Sequence, residues 1–150
     1  MIRLSARLLL LCLVAVLGAC ASGPKFNEVK SALPTVPADQ GRIYVYRSAS
    51  MFGAAIQPEV KLNGDVVGKS QPGGFFFVDR PAGNYEVTTA TETEKKVTFV
   101  LDKGEVKYIK TSPSFGVMVG RVIPELIDPA QGQPELEQTS YTGTPLQAAK

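Results

Sequence analysis

Few side chains in this 150-residue chain are suited to chemistry, and the first of them is a thiol. The chain has two cysteines, Cys12 and Cys20, and no histidine. Without histidine there is no Ser-His-Asp or Cys-His relay and no ordinary His- or Cys-built zinc or copper site, so no metal and no cofactor is expected. Cys20 follows Leu17, Gly18 and Ala19, an aliphatic residue and two small ones. Small side chains let a backbone lie flat in a peptidase groove, and the thiol that follows is a nucleophile. Cys12 follows Leu9, Leu10 and Leu11, which are too bulky for such a groove. Carboxylates are the other resource. Glu92 and Glu94 sit beside Lys95 and Lys96 with no apolar cleft implied, which describes a solvated turn. Asp79, Glu86 and Glu105 are the strand-region acids that an envelope hydrolase or carbohydrate-active enzyme would have to bring together, two in one pocket with their pKa values pushed apart.

The elements around Cys20 set its context. Arg3 and Arg7 form a positive start, no acidic residue occurs before Glu28, and residues 8–17 (LLLLCLVAVL) are an unbroken apolar run. Ten such residues are half of the ~20 that span a bilayer as a helix, so a secretory signal peptide over residues 1–19 is expected rather than a permanent span. The tetrapeptide Leu17-Gly18-Ala19-Cys20 resembles the lipobox of bacterial lipoproteins, which implies cleavage before Cys20 and a diacylglyceryl group on its thiol. An anchor of two or three acyl chains holds a protein stably where one does not, at ~0.8 kcal/mol per buried methylene. Ala21 and Ser22 follow the cysteine; an Asp there would resemble an inner-membrane retention signal, and its absence favours the periplasmic face of the outer membrane.

Removing residues 1–19 leaves 131 residues, enough for one domain. The net charge of +2 is carried by Arg3 and Arg7, and the remainder balances at 14 basic and 14 acidic side chains. A neutral chain offers no electrostatic footprint for nucleic acid, so that class of partner is excluded. With Cys20 the only cysteine left, no internal disulfide is possible.

Residues 20–41 carry three prolines and no sustained periodicity, the composition of a tether with a root-mean-square span of about 25 Å. Residues 26–33 are the part of it suited to dock. From residue 42 to about 125 the pattern becomes short strands between turn signals: 42–48, 59–62, 65–69, 75–79, 85–91, 95–101, 105–111 and 117–123. In the first, Ile43 and Val45 point one way and Tyr44 and Tyr46 the other, so both faces are covered. Asn63-Gly64-Asp65 supplies a tight hairpin turn. No βαβ crossover appears. The fold predicted is all-β: an antiparallel sandwich of seven or eight strands, immunoglobulin-like or transthyretin-like, with a small barrel as runner-up. Residues 126–150 return to loop composition, with Asp128-Pro129 placed to cap a short helix to about Gln138 and the last ten residues disordered.

The order Gly41-Arg42-Ile43-Tyr44-Val45-Tyr46-Arg47, Pro58, Val60, Asn63-Gly64, Gly68, then Phe75 to Asp79, then Pro81, Gly83, Tyr85 and Val87, resembles a family of bacterial lipoproteins whose domain is known only as one of unknown function. The resemblance covers roughly residues 40–125, and its last segment also resembles strands of carboxypeptidase-regulatory-like sandwiches and surface-exposed repeat domains. It implies a lipid-anchored β-sandwich and carries no active site.

Two residues remain as candidate contacts. Arg47 ends the first strand and is either a ligand-binding arginine or, preferably, half of an ion pair with Asp79. Phe76 must face away from Phe75 and Phe77; if those two enter the core, Phe76 is the exposed apolar contact for a partner. The expectation is a non-enzymatic binding or scaffold module in the cell envelope, with another envelope protein as partner.

Overall fold

A computed structural model of the chain describes residue 21 and residues 23–146. Among the described residues nine strands form in chain order: β1 (Gln40–Tyr46), β2 (Glu59–Leu62), β3 (Asp65–Lys69), β4 (Gly74–Pro81), β5 (Gly83–Ala90), β6 (Glu94–Leu101), β7 (Val106–Ser114), β8 (Arg121–Ile127) and β9 (Ser140–Tyr141). Two short helices of the described residues flank them, α1 (Phe26–Val29) and α2 (Pro129–Leu136). Asn63 (φ 49°) and Gly64 (φ 93°) make the β2–β3 turn, where both residues must be left-handed.

The strands form two sheets, one of five strands in the order β8-β7-β1-β4-β9 and one of four in the order β3-β2-β5-β6. The four-stranded sheet is antiparallel throughout. The five-stranded sheet is mixed, because β1 runs parallel to β7 and β4 parallel to β9. This corrects the expected all-antiparallel pairing. Local turns dictate hairpin partners, but β1 and β7 are distant in sequence and no turn encodes their relative direction. The result is a β-sandwich-like arrangement. Thr89 Oγ1 and Thr91 Oγ1 of the second sheet's side donate to the carbonyls of Val122 (2.6 Å) and Gly120 (2.8 Å), lacing β5 to β8 along one edge.

Between the sheets lies a core of Ile43, Val45, Val60, Leu62, Phe76, Val87, Phe99, Leu101 and Ile109. Phe76 is only 3% exposed. The alternation within Phe75-Phe76-Phe77 holds, but the faces are the reverse of the exposed-Phe76 expectation. Phe76 points into the sandwich, and Phe75 and Phe77 point to the outer face of the mixed sheet. Gly68 fits this packing, since a Cβ there would stand 2.7 Å from the Phe76 ring.

The outer face is covered by the chain ends. Phe26, Val29, Tyr44, Tyr46, Phe75, Tyr108 and Leu136 form a second cluster, with Phe26 edge-on to Tyr44 (5.9 Å between centroids) and to Phe75 (5.4 Å). The segment expected to be a free spacer is therefore packed from residue 23 onward, because the aromatic face it covers would otherwise be open to water. Ala21 N donates to Pro72 O (3.1 Å), Phe26 N to Thr139 O (3.0 Å), and Pro34 O accepts from Arg42 Nη2 (2.7 Å). The C-terminal segment is likewise ordered as far as Leu146, where disorder was expected: Tyr141 pairs with Phe75 in β9, and Tyr141 Oη donates to Thr144 O (2.8 Å). Asp128 Oδ1 accepts from Ala130 N (2.9 Å) as the N-cap of α2. Tyr46 Oη and Lys110 Nζ, both at 2.8 Å, fix Glu135 of α2 to the sheet.

Phe76 is thus a core anchor. Phe76→Ala should destabilise the domain by about 3–5 kcal/mol, read as a lower urea midpoint at unchanged slope. A loss within a few tenths of a kcal/mol would mean the ring is not between the sheets.

Candidate functional site

The register places the ends of β1, β3, β5 and β7 and the starts of β2, β4, β6 and β8 at one pole of the sandwich. Two connections meet there, residues 47–58 and residues 115–120. Neither Ser48 to Pro58 nor Thr111 to Gly120 contains a charged residue. Met51, Phe52, Phe115, Val117, Met118 and Val119 are exposed, Phe115 by 82%, Val117 by 87% and Met118 by 89%. The Phe52 and Phe115 rings meet at 4.8 Å, so the two loops share one apolar surface. Between them is a shallow depression of about 230 Å³ lined by Phe52, Ile56, Phe115, Met118 and Val119. That is smaller than the ~300–1,000 Å³ usual for small-molecule pockets, so the face is suited to a surface contact.

Two charges hold this pole from beneath. Arg47 is 1% exposed and donates to Ile56 O (2.7 Å), Gly53 O (2.8 Å) and Ser70 O (3.3 Å). Its Nε has no hydrogen-bond partner, and no ion pair to it exists among the described residues. Burial without a carboxylate pushes its pKa down. The cation instead gathers the carbonyl dipoles of the first loop. Gly53 is required there, because its φ of 65° is left-handed and a Cβ would stand 2.6 Å from Pro113 Cβ. Ser70 and Thr111 hydroxyls, 2.8 Å apart, and Tyr46 O, 3.2 Å from Thr111 Oγ1, continue the polar network inward.

Glu92 does the converse for the second loop. Its carboxylate accepts from the backbone N–H groups of Met118 (2.8 Å), Val117 (2.9 Å) and Val119 (3.3 Å), and from Arg121 Nε (3.1 Å). These donors, the Met118 and Val117 amides foremost, pull its pKa down to about 2. Successive amides converging on an anion form a nest, here filled by the protein's own side chain. A Cβ at Gly116 would collide with that carboxylate.

The residues singled out in the sequence fall as follows. Arg47 is not paired with Asp79. That partner belongs to Arg42, which faces Asp79 across the β1–β4 register in a bidentate pair (Nε–Oδ1 2.7 Å, Nη2–Oδ2 2.8 Å) and lies 4.3 Å over the Phe77 ring. Phe76 is withdrawn from the surface. Glu92 is no solvated turn residue but the clamp of the apolar loop. Residues 117–123 are not one strand: Val117 to Gly120 are loop, and β8 starts at Arg121. Asp79, Glu86 and Glu105 do not converge. They pair separately with Arg42, Lys96 and Lys107, and the depression of about 380 Å³ at the opposite pole, beside Asn63, Tyr85 and Phe99, contains Glu86 alone of the three. Leu17, Gly18, Ala19 and Cys20 lie outside the described residues. Sequence reasoning missed Met51, Phe52, Phe115 and Met118, whose signal was the absence of charge between Arg47 and Glu59 and between Lys110 and Arg121.

A two-sheet β-domain with a clamped apolar pole is thus the class of protein that the geometry defines. Residues 37–122 match the family described as Protein of unknown function (DUF2846), and the chain belongs to that family. It is also similar to an uncharacterized protein of Haemophilus influenzae, 26% identical over 136 residues, which cover 87% of this chain and 80% of that protein. No solved structure matches the chain.

The clamps make two predictions. Arg47→Met should lower stability by at least about 1–3 kcal/mol, because buried carbonyls lose their donor, and urea denaturation measures it. Glu92 has its folded pKa, about 2, below the ordinary 4.5, so its contribution is fully present above pH 4.5 and is lost as pH falls through about 2. The amide proton shifts of Val117, Met118 and Val119 should move together with a midpoint of about 2. A midpoint at the ordinary carboxylate value would show that the clamp is absent.

Proposed function

We propose that the protein is a lipoprotein of the bacterial envelope, held by a diacylglyceryl group on Cys20, and that its domain is a non-enzymatic binding or scaffold module. The order positive start, apolar run, Leu17-Gly18-Ala19-Cys20 supports the anchor. The residue after the cysteine is not Asp, which favours the periplasmic face of the outer membrane. The apolar pole carries the binding role: Phe115, Val117 and Met118 stand in water at more than four-fifths of their full exposure, on loops that the fold fixes in place rather than leaves free to collapse. A contiguous surface of that kind marks an interaction site. The hydrolytic alternative has no comparable support, since each carboxylate it would need is occupied by its own cation.

Mass spectrometry of the N-terminal peptide from the membrane fraction tests the anchor. Residues 1–19 should be absent and Cys20 should carry acyl chains, and a Cys20→Ser chain should carry none and keep its leader. An unmodified Cys20 at the mature N-terminus would overturn the reading.

A further inference from the structure

We propose that the apolar pole docks on a lipid bilayer, with the Met51-Phe52 and Phe115–Val119 loops entering the interface of the same membrane that holds Cys20; this rests on the anchor reading given above. Three independent observations single out lipid as the occupant.

The first is where the chain emerges. Ala21 does not leave the domain at an arbitrary point. Its N–H donates to Pro72 O, and its Cβ lies beside Gly74. Gly74 O in turn accepts from Arg47 N (2.9 Å), at the root of the first apolar loop. From Ala21 the chain runs along the outer face of the mixed sheet toward Pro34 and enters β1 from the opposite pole. Cys20 is bonded directly to Ala21, so an acyl group on it would be attached at this pole of the domain. Attachment there turns Phe115 and Met118 toward the bilayer instead of holding the domain clear of it.

The second is the absence of charge. No ionised side chain interrupts residues 48–58 or 111–120, and the charges that serve these loops, Arg47 and Glu92, are turned beneath them. The two loops present Met, Phe and Val, and the charges of this pole, Glu59, Lys69, Glu94 and Lys95, flank them at the strand ends of the four-stranded sheet, where lipid head groups would meet them.

The third is the backbone. Irregular backbone entering hydrocarbon is tolerated only if its polar groups are satisfied from within the protein. Here they are. The carbonyls of Met51, Gly53, Ala54 and Ile56 accept from Ala54 N, Arg47, Gln57 Nε2 and Arg47 respectively. The amides of Val117, Met118 and Val119 all go to Glu92. A loop meant for water has no need of this, because water would satisfy the same groups.

The chain contains no tryptophan, so a single introduced one is a clean reporter. Met118→Trp places it at the pole, and Lys103→Trp in the β6–β7 turn at the other end; both positions are exposed, so neither change disturbs packing. Each full-length chain is matured in cells, extracted, and reconstituted into phosphatidylethanolamine–phosphatidylglycerol vesicles with and without brominated acyl chains, and the acylation of Cys20 is checked by mass. The expected result is a blue shift and loss of most of the emission at position 118, with position 103 unchanged. Acylated, vesicle-bound protein with position 118 unquenched overturns the docking and leaves the anchor standing. A mature Cys20 without acyl chains overturns the anchor, and with it this placement of the pole. A photocrosslinker at position 118 that captures one protein stoichiometrically, together with no bromine quenching, overturns lipid in favour of a protein partner.

Discussion

β1 has no face left for water, and the rest of the fold follows from that. Residues 41–47 are all buried. Ile43 and Val45 meet the four-stranded sheet, and Tyr44 and Tyr46 meet the layer made by α1, α2 and the chain ends. A strand buried on both sides suits a parallel neighbour, as in sheets covered on both faces, and β7 is that neighbour. It also requires its charged residues to be dealt with inside the protein. Arg42 meets Asp79 in a two-pronged ion pair and takes Pro34 O as a further acceptor, which ties the entering chain to the sheet. Arg47, at the other end, has no carboxylate and is accommodated by carbonyl dipoles alone. Leaving either guanidinium without such partners would carry a large desolvation penalty.

What the sequence made legible was whatever is encoded locally. The alternation of Val60 with Leu62, and of Val97, Phe99 and Leu101, gives the inward faces of β2 and β6 directly, and Asn63-Gly64 gives the turn from β2 into β3. The two-sided burial of β1 was visible in its unbroken run of β-branched and aromatic residues. What was hidden depended on distant parts of the chain. Phe76 and Phe77 are equally apolar, and only the arrival of Phe26, Val29 and Leu136 on the outer face decides which layer each one enters. The sequence points Asp79 to Arg47, and the register with β4, which composition does not express, assigns it to Arg42 instead. Val117 to Val119 have strand composition. They form a loop because Gly116 lets Glu92 approach their amides and Gly120 takes a left-handed φ of 98°.

Arg47 and Glu92 solve one problem with opposite signs. A cation below the first loop collects carbonyls, and an anion below the second collects amides, so each loop has part of its backbone polarity drawn inward while its apolar side chains face out. The ordinary arrangement of a surface loop is the reverse, with polar groups outward and any apolar residue folded back. Removing either charge would do more than delete a hydrogen bond. It would release backbone groups toward the surface and let Phe52 and Phe115 rearrange to cover them, so the apolar character of the pole and the integrity of its clamps are one property.

The extent of the family match divides the molecule along the same line. Residues 37–122 include β1 to β7, both pole loops, and both clamps, but neither helix nor β9. The apolar pole is therefore built wholly from the part of the chain that defines the family. The route that brings residue 21 to that pole is built from the flanks: α1 lies over Tyr44 and Phe75, and Phe26 N and Ser140 N anchor it to Thr139 O and Gly73 O. The similarity to the Haemophilus influenzae protein extends beyond the family region, over 87% of the chain. A domain of this family lacking such flanks would leave Tyr44, Phe75 and Tyr108 uncovered, and its N-terminus would be free of the pole. The cover layer thus has two consequences from one set of contacts: it completes the burial of β1, and it holds Ala21 at the apolar pole.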